Sequence, residues 1–216
     1  MDSQSRPNFV PLSAENSPEG HFEREERVVS LYRVGALTVD GSRELCVVRN
    51  VSSGGLMLNS YSHIQPGTPI AVEFKQGETV DGVVAWSNGN NVGMRFDAPI
   101  DVTAILAPSC PEGRRPRMPR ICIESRISVR EGAAVHQAIA LDISQGGVCV
   151  ESGSQLAFGA DVVVRIEGLP PEPAVVRWRN RDCYGLGFNR LLSVTSLAAW
   201  LKEHRKTGVR REREVD

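Results

Sequence analysis

The chain lacks any long apolar run. Nowhere in its 216 residues do about 18 consecutive apolar residues stand together, the length that a membrane-spanning helix needs. The first twenty residues are polar and rich in Ser and Pro, without the apolar stretch of a secretory signal, so a cytoplasmic protein with no membrane insertion is expected. An excess of charge of one sign is missing too. With 25 Lys and Arg against 26 Asp and Glu, the formal net charge is −1. Such a chain exerts no overall pull on nucleic acid or on an anionic membrane, and any anion site must be local. The cysteines, Cys46, Cys110, Cys122, Cys149 and Cys183, are odd in number, far apart and without a C-x-x-C pair, which argues against a disulfide framework and a zinc site. Reduced, mostly buried thiols are expected. His21, His63, His136 and His204 are scattered without a partner motif, and no nucleophile–base pair, metal cluster or paired carboxylate repeats or stands out. The sequence therefore suggests no enzyme: no catalytic residue, metal or cofactor is assigned.

What the chain does contain is a duplication. Asn50-Val51-Ser52-Ser53-Gly54-Gly55 returns as Asp142-Ile143-Ser144-Gln145-Gly146-Gly147, 92 positions later. The same offset pairs Gly67 with Gly159, Trp86 with Trp178, Asn88 with Asn180, Gly93 with Gly185 and Phe96 with Phe188. Upstream, Arg24, Arg27 and Arg33 pair with Arg117, Arg120 and Arg126 at an offset of 93, the slip that a loop insertion leaves. This period exceeds a solenoid unit and matches a small independent domain. Residues 1–20 read as a disordered leader, 22–107 as the first module, 108–113 as a Pro- and Gly-bearing linker, 114–206 as the second module and 207–216 as a charged tail.

Within each module the apolar pattern has period two. Ile70, Val72 and Phe74 alternate with Ala71 and Glu73, and Val162, Val164 and Ile166 hold the equivalent places, the pattern of half-buried strands. Turn signals fall between such runs at Asp40-Gly41 and Glu131-Gly132, at Pro66-Gly67 and Phe158-Gly159, and at Ser87-Asn88-Gly89 and Arg179-Asn180-Arg181. Short strands, tight turns and no long intervening helix describe an all-β fold, an antiparallel sheet closed into a small barrel in each module. Only the module ends look helical. Behind Ser193 as N-cap, Val194, Leu197, Ala198 and Leu201 fall at helical spacing, with Gly208 beyond the end. The counterpart at 101–106 is cut short by Pro108.

The repeated Asn/Asp-x-Ser-x-x-Gly element lies between two strand runs in each copy and offers acceptors, a hydroxyl and an approachable backbone at a barrel rim. The alternative reading is an Asx-turn whose glycines permit positive φ. Arginines precede the first strand of each copy: Arg24 and Arg27, then Arg114, Arg115, Arg117 and Arg120. A guanidinium stacks on a purine, forks onto guanine and binds phosphate bidentately. Arginines beside such a turn therefore suit a guanine nucleotide. Arg24 is hemmed by Glu23, Glu25 and Glu26. Trp86 and Trp178 are read as strand residues in core or hairpin packing, and Trp200 as a residue at an interface.

In these residues the chain resembles the PilZ domain, a bacterial receptor module for cyclic di-GMP, in two tandem copies. The resemblance implies six-stranded antiparallel barrels, a C-terminal helix, and a ligand held by an R-x-x-x-R element before the first strand and a [D/N]-x-S-x-x-G element on the barrel. The second element is matched by Asn50, Ser52 and Gly55 and by Asp142, Ser144 and Gly147. The arginine element departs from the pattern, because R-x-x-R stands in its place, as Arg24 with Arg27 and Arg117 with Arg120, with Arg115 a further candidate. The implied site is thus Arg115, Arg117, Arg120, Asp142, Ser144 and Gly147 in the second module. A weaker site in the first comprises Arg24, Arg27, Asn50, Ser52 and Gly55. The expected function is a cyclic di-GMP receptor or adaptor that changes its interdomain arrangement and signals to an unidentified downstream protein. The alternative is an interaction module in which one or both barrels no longer bind nucleotide.

Overall fold

The computed structural model describes residues 29–75, 78–106 and 118–213. The expected leader, Arg24 and Arg27, and the linker with Arg114, Arg115 and Arg117 lie outside the described residues. In the first module, β1 (Val29–Val39), β2 (Ser42–Val51), β3 (Gly55–Ser60), β4 (Pro69–Lys75), β5 (Glu78–Asn88) and β6 (Asn91–Phe96) pair in the order β1-β2-β3-β6-β5-β4, and β4 closes back onto β1. The second repeats this with β7 (Ile121–Glu131), β8 (Ala134–Ser144), β9 (Gly147–Glu151), β10 (Asp161–Ile166), β11 (Glu172–Asn180) and β12 (Cys183–Phe188). All pairs are antiparallel, and closure removes the free edges that an open sheet would present.

The expected alternation holds at Ile70 and Val72, and at Val162, Val164 and Ile166, which are buried in their barrels, while the side chain of Phe74 lies outside the described residues. Asp40 at φ 49° and Gly41 at φ 72° turn β1 into β2, the left-handed pair whose twist matches a two-residue hairpin. A short helix, α1 (Val102–Leu106), follows β6, and its cap is Asp101, whose Oδ1 accepts from the amides of Thr103 at 2.9 Å and Ala104 at 3.1 Å.

The second module ends in α2 (Val194–Arg213), with Val194, Leu197, Ala198 and Leu201 buried as one stripe. The helix passes the expected end and continues through Gly208. A glycine costs an interior helical position only about 1 kcal/mol, and Lys206, Arg210 and Arg211 on either side favour the helix. Trp200 is buried against its own barrel. Its Nε1 donates to the Glu167 carbonyl at 2.7 Å, and its ring stacks on His204 with centroids 4.7 Å apart, so it seals the turn after β10 of its own barrel.

One strand belongs to both halves. Leu45, Cys46, Val47 and Val48 of β2 are buried in succession, which a strand achieves only when both its faces are covered. Cys46 and Val48 point into the first barrel's core, while Leu45 and Val47 join the second barrel's cluster with Ala198 and Leu201. Val34 and Tyr61 pack against that cluster as well, and the Lys202 ammonium donates to the Tyr61 carbonyl at 3.1 Å. Removing Leu45 and Val47 from water contributes about 1.5–3 kcal/mol each.

Candidate functional site

Arg120 stands immediately ahead of β7, where the buried Ile121 pins the chain. From there its Nη1 donates to Asp142 Oδ1 at 2.7 Å, with the two side chains 43% and 25% exposed. The arginine of the preceding segment and the acid of the turn motif therefore meet at one place, accessible from solvent. A pair this exposed adds only about 0–1 kcal/mol to stability. Asp142 lies within β8 rather than in the turn, opposite Cys122 on β7 and Cys149 on β9.

The serines and glycines of the motif differ from expectation. Ser144 is buried, not displayed at a rim, and its Oγ donates to the Gly147 carbonyl at 3.3 Å. Ser52 does the same toward Gly55 at 3.1 Å, alongside a backbone bond between the same residues at 2.8 Å. These hydroxyls close the turn. Nor do the motif glycines need positive φ, since none of Gly54, Gly55, Gly146 and Gly147 adopts it. A Cβ on Gly55 would stand 2.5 Å from the Met94 carbonyl oxygen, and one on Gly147 would collide with that of Leu186. Glycine is required there because the neighbouring strand passes too close.

Strand register assembles the rest. Asn50 pairs with Met57, Met57 with Gly93, and Gly93 with Trp86, a row crossing β2, β3, β6 and β5. The second barrel repeats it as Asp142, Cys149, Gly185 and Trp178 across β8, β9, β12 and β11. At about 4.8 Å per strand, the row brings a polar acceptor and an indole to opposite ends of one track on the outer wall. Trp86 and Trp178 lie over Gly93 and Gly185, whose Cβ atoms would overlap the indole nitrogens, so the hairpin packing read from the sequence is present. Both rings are nevertheless partly open to solvent, 44% and 38% exposed. Sequence reasoning left Met57, Trp86, Cys149 and Trp178 out of the candidate site. The signal that could have included them is the offset of 92, which also pairs Met57 with Cys149.

In the first barrel this track forms an open groove of about 560 Å³, lined by Asn50, Ser52, Gly55, Met57, Trp86 and Gly93 among others. Where Asp142 holds Arg120, Asn50 Oδ1 accepts from Ser30 Oγ at 3.2 Å. The adjacent Arg49 turns to Asn59 Oδ1 at 2.7 Å and lies over the Tyr32 ring at 4.7 Å. In the second barrel, burial and the nearby Asp142 carboxylate push the Cys149 thiol up to about 11, keeping it protonated beneath the site. Among the described residues no three His, Cys, Asp or Glu side chains group as a metal site, and no helix is long and apolar enough to cross a membrane. Cys46 and Cys149 are buried as expected, whereas Cys122 is exposed.

Residues 21–107 and again 114–203 match the PilZ domain. The chain belongs to the PilZ domain family. PilZ domains are in general receptors and adaptors rather than enzymes. No curated protein matches the sequence significantly. Among solved structures, the chain is similar to the PlzA protein of Borreliella burgdorferi in complex with c-di-GMP, at 13% identity and TM-score 0.37, covering 78% of this chain and 86% of that one. It is also similar to the PilZ domain of CeSA from a cellulose-synthesizing bacterium, at 20% identity and TM-score 0.33, over 39% of this chain and 98% of that one. YcgR of Escherichia coli in complex with c-di-GMP follows at 16% identity and TM-score 0.28, over 84% of each chain. The family assignment rests on the two domain matches.

Proposed function

We propose that this tandem PilZ protein is a cyclic di-GMP receptor whose second barrel carries the principal site. The observation that carries this reading is the 2.7 Å contact between Arg120 and Asp142, which joins two elements that the family uses for its ligand. In the free protein each group neutralises the other. A bound dinucleotide takes over both partners, with Arg120 turning to a phosphate or a guanine face and Asp142 accepting from a guanine N–H. Trp178, at the other end of the row, supplies an open aromatic face for a base. Arg115 and Arg117 belong to the same proposed clamp, and its ordering on binding alters how the barrels sit and is read by a partner protein. Isothermal titration of cyclic di-GMP into the full chain tests this: saturable uptake is expected, and no uptake sinks the reading.

A second reading applies to the first barrel. Asn50 is engaged by Ser30, and Arg49 is engaged with Asn59 and Tyr32. That arrangement favours a scaffold for the second barrel over an equal binding site. Arg24 and Arg27 would have to supply the missing cations.

A further inference from the structure

Among the described residues of the first barrel, Arg43 reaches the site of the second. Arg43, on β2, donates from Nε to the backbone carbonyl of Arg120 at 3.2 Å and from Nη2 to Glu73 Oε2 on β4 at 2.5 Å. Glu73 is itself largely buried, with 13% of its side chain exposed. A guanidinium is planar, so fixing one edge on Glu73 sets the direction in which its Nε points. That direction meets the peptide plane shared by Arg120 and Ile121. Ile121 is 1% exposed in the second core, so the segment is held on one side by burial and on the other by Arg43. Between these two anchors the Arg120 side chain reaches Asp142.

The repeat shows that this arrangement is not part of the module's own architecture. The positions equivalent to Arg43 and Glu73 are Val135 and Arg165. Val135 is an exposed side chain, 57% accessible. A barrel of this kind closes without the pair; the first copy has it where the second copy's arginine arrives.

We propose that Arg43 is a positioning residue for the second barrel's ligand site, so that nucleotide affinity there depends on the first barrel being docked. The inference rests on the proposed cyclic di-GMP site at Arg120 and Asp142, and it makes the first barrel a regulator of that site rather than a passive neighbour. Anything that draws Arg43 away, such as a partner's carboxylate competing with Glu73, weakens nucleotide binding without touching the ligand.

The test is a double-mutant cycle on the full chain, titrating cyclic di-GMP into wild type, Arg43→Ala, Arg120→Ala and the double variant. Arg43→Ala is expected to weaken binding about tenfold, the effect of removing a charge-assisted hydrogen bond, and to cause no further loss once Arg120 is absent. An unchanged affinity in Arg43→Ala, or an equal loss with and without Arg120, overturns the proposal. A ligand-free measurement separates it from the functional reading. Hydrogen exchange at the Ile121 and Cys122 amides is expected to quicken in Arg43→Ala, and also in Arg43→Gln. Should wild type take up no cyclic di-GMP, the functional reading falls, and unchanged exchange in both variants then overturns the anchor itself.

Discussion

Trp178 lies against Gly185 on the neighbouring strand so closely that no side chain could replace the glycine's hydrogen without displacing the indole, and Trp86 lies over Gly93 in the same way. Each glycine is a seat for a ring that would otherwise stand off the barrel. The seat keeps one face of the ring dry and leaves the other for solvent.

Alanine at two glycines should therefore have unequal effects. In Gly185→Ala the obstacle is the movable, half-exposed Trp178, so a loss of about 1–2 kcal/mol is expected, with a shift in tryptophan emission. In Gly147→Ala the obstacle is the Leu186 carbonyl, which cannot leave without breaking the β9–β12 pairing, and the loss should reach about 3 kcal/mol. Urea denaturation of the two variants ranks them, and a smaller loss in Gly147→Ala would contradict the close approach.

Arg120→Ala should separate binding from stability. Its pair with Asp142 is open to solvent, so the variant should unfold within about 1 kcal/mol of wild type. Loss of a charged contact to the dinucleotide is expected to weaken binding by about 2–5 kcal/mol. Calorimetric titration and thermal unfolding read the two quantities, and unchanged affinity would move the site elsewhere.

The surface between the barrels predicts a cooperative unit. Leu45→Ala should cost about 2–4 kcal/mol although the residue lies outside its own barrel's core. A fragment of residues 1–107 exposes Leu45 and Val47, and it should fold, bind little cyclic di-GMP and self-associate. Sedimentation and titration of the fragment check this; tight nucleotide binding would overturn the scaffold role of the first barrel.

Alkaline pH should destabilise the protein through its buried thiols. Burial pushes Cys46 from an ordinary 9.0 up to about 12, and Cys149 up to about 11. Their stabilisation is complete below pH 9. Above it the unfolded chain ionises first, and the benefit is lost progressively until the folded thiols ionise too. Cys46 alone imposes a slope of up to about 1.4 kcal/mol per pH unit in that window. Cys46→Ala should show a shallower decline between pH 9 and pH 12 in denaturant titrations. In native protein at neutral pH, the exposed Cys122 should alkylate well before Cys46 and Cys149.

Much of this architecture was legible in the chain because the repeat makes two imperfect signals confirm each other. Gly67 with Gly159 and Asn50 with Asp142 located equivalent turns and strands, and period two at Ile70 and Val72 gave their inward face. The resemblance named Arg120 and Asp142 for one site without implying the contact between them. The rows that end in Trp86 and Trp178 were harder to see, because they depend on register across four strands and join residues up to 43 positions apart. Leu45–Val48 reads as an unbroken apolar run whose second covering partner, Ala198 and Leu201, is set by tertiary packing alone. Nothing local marked Ser144 as buried, since its hydroxyl is satisfied within its own turn.

The contact of α2 on β2 joins unlike surfaces of two similar units, and contacts of that kind can in principle repeat without end. Within this chain it is made once. The place of Leu45 is taken in the second unit by Gln137, an exposed amide, and among the described residues the helix of the first unit is Val102–Leu106. At this position the second barrel is thus polar where the first is apolar. The two copies have thus diverged into a donor and an acceptor of one interface.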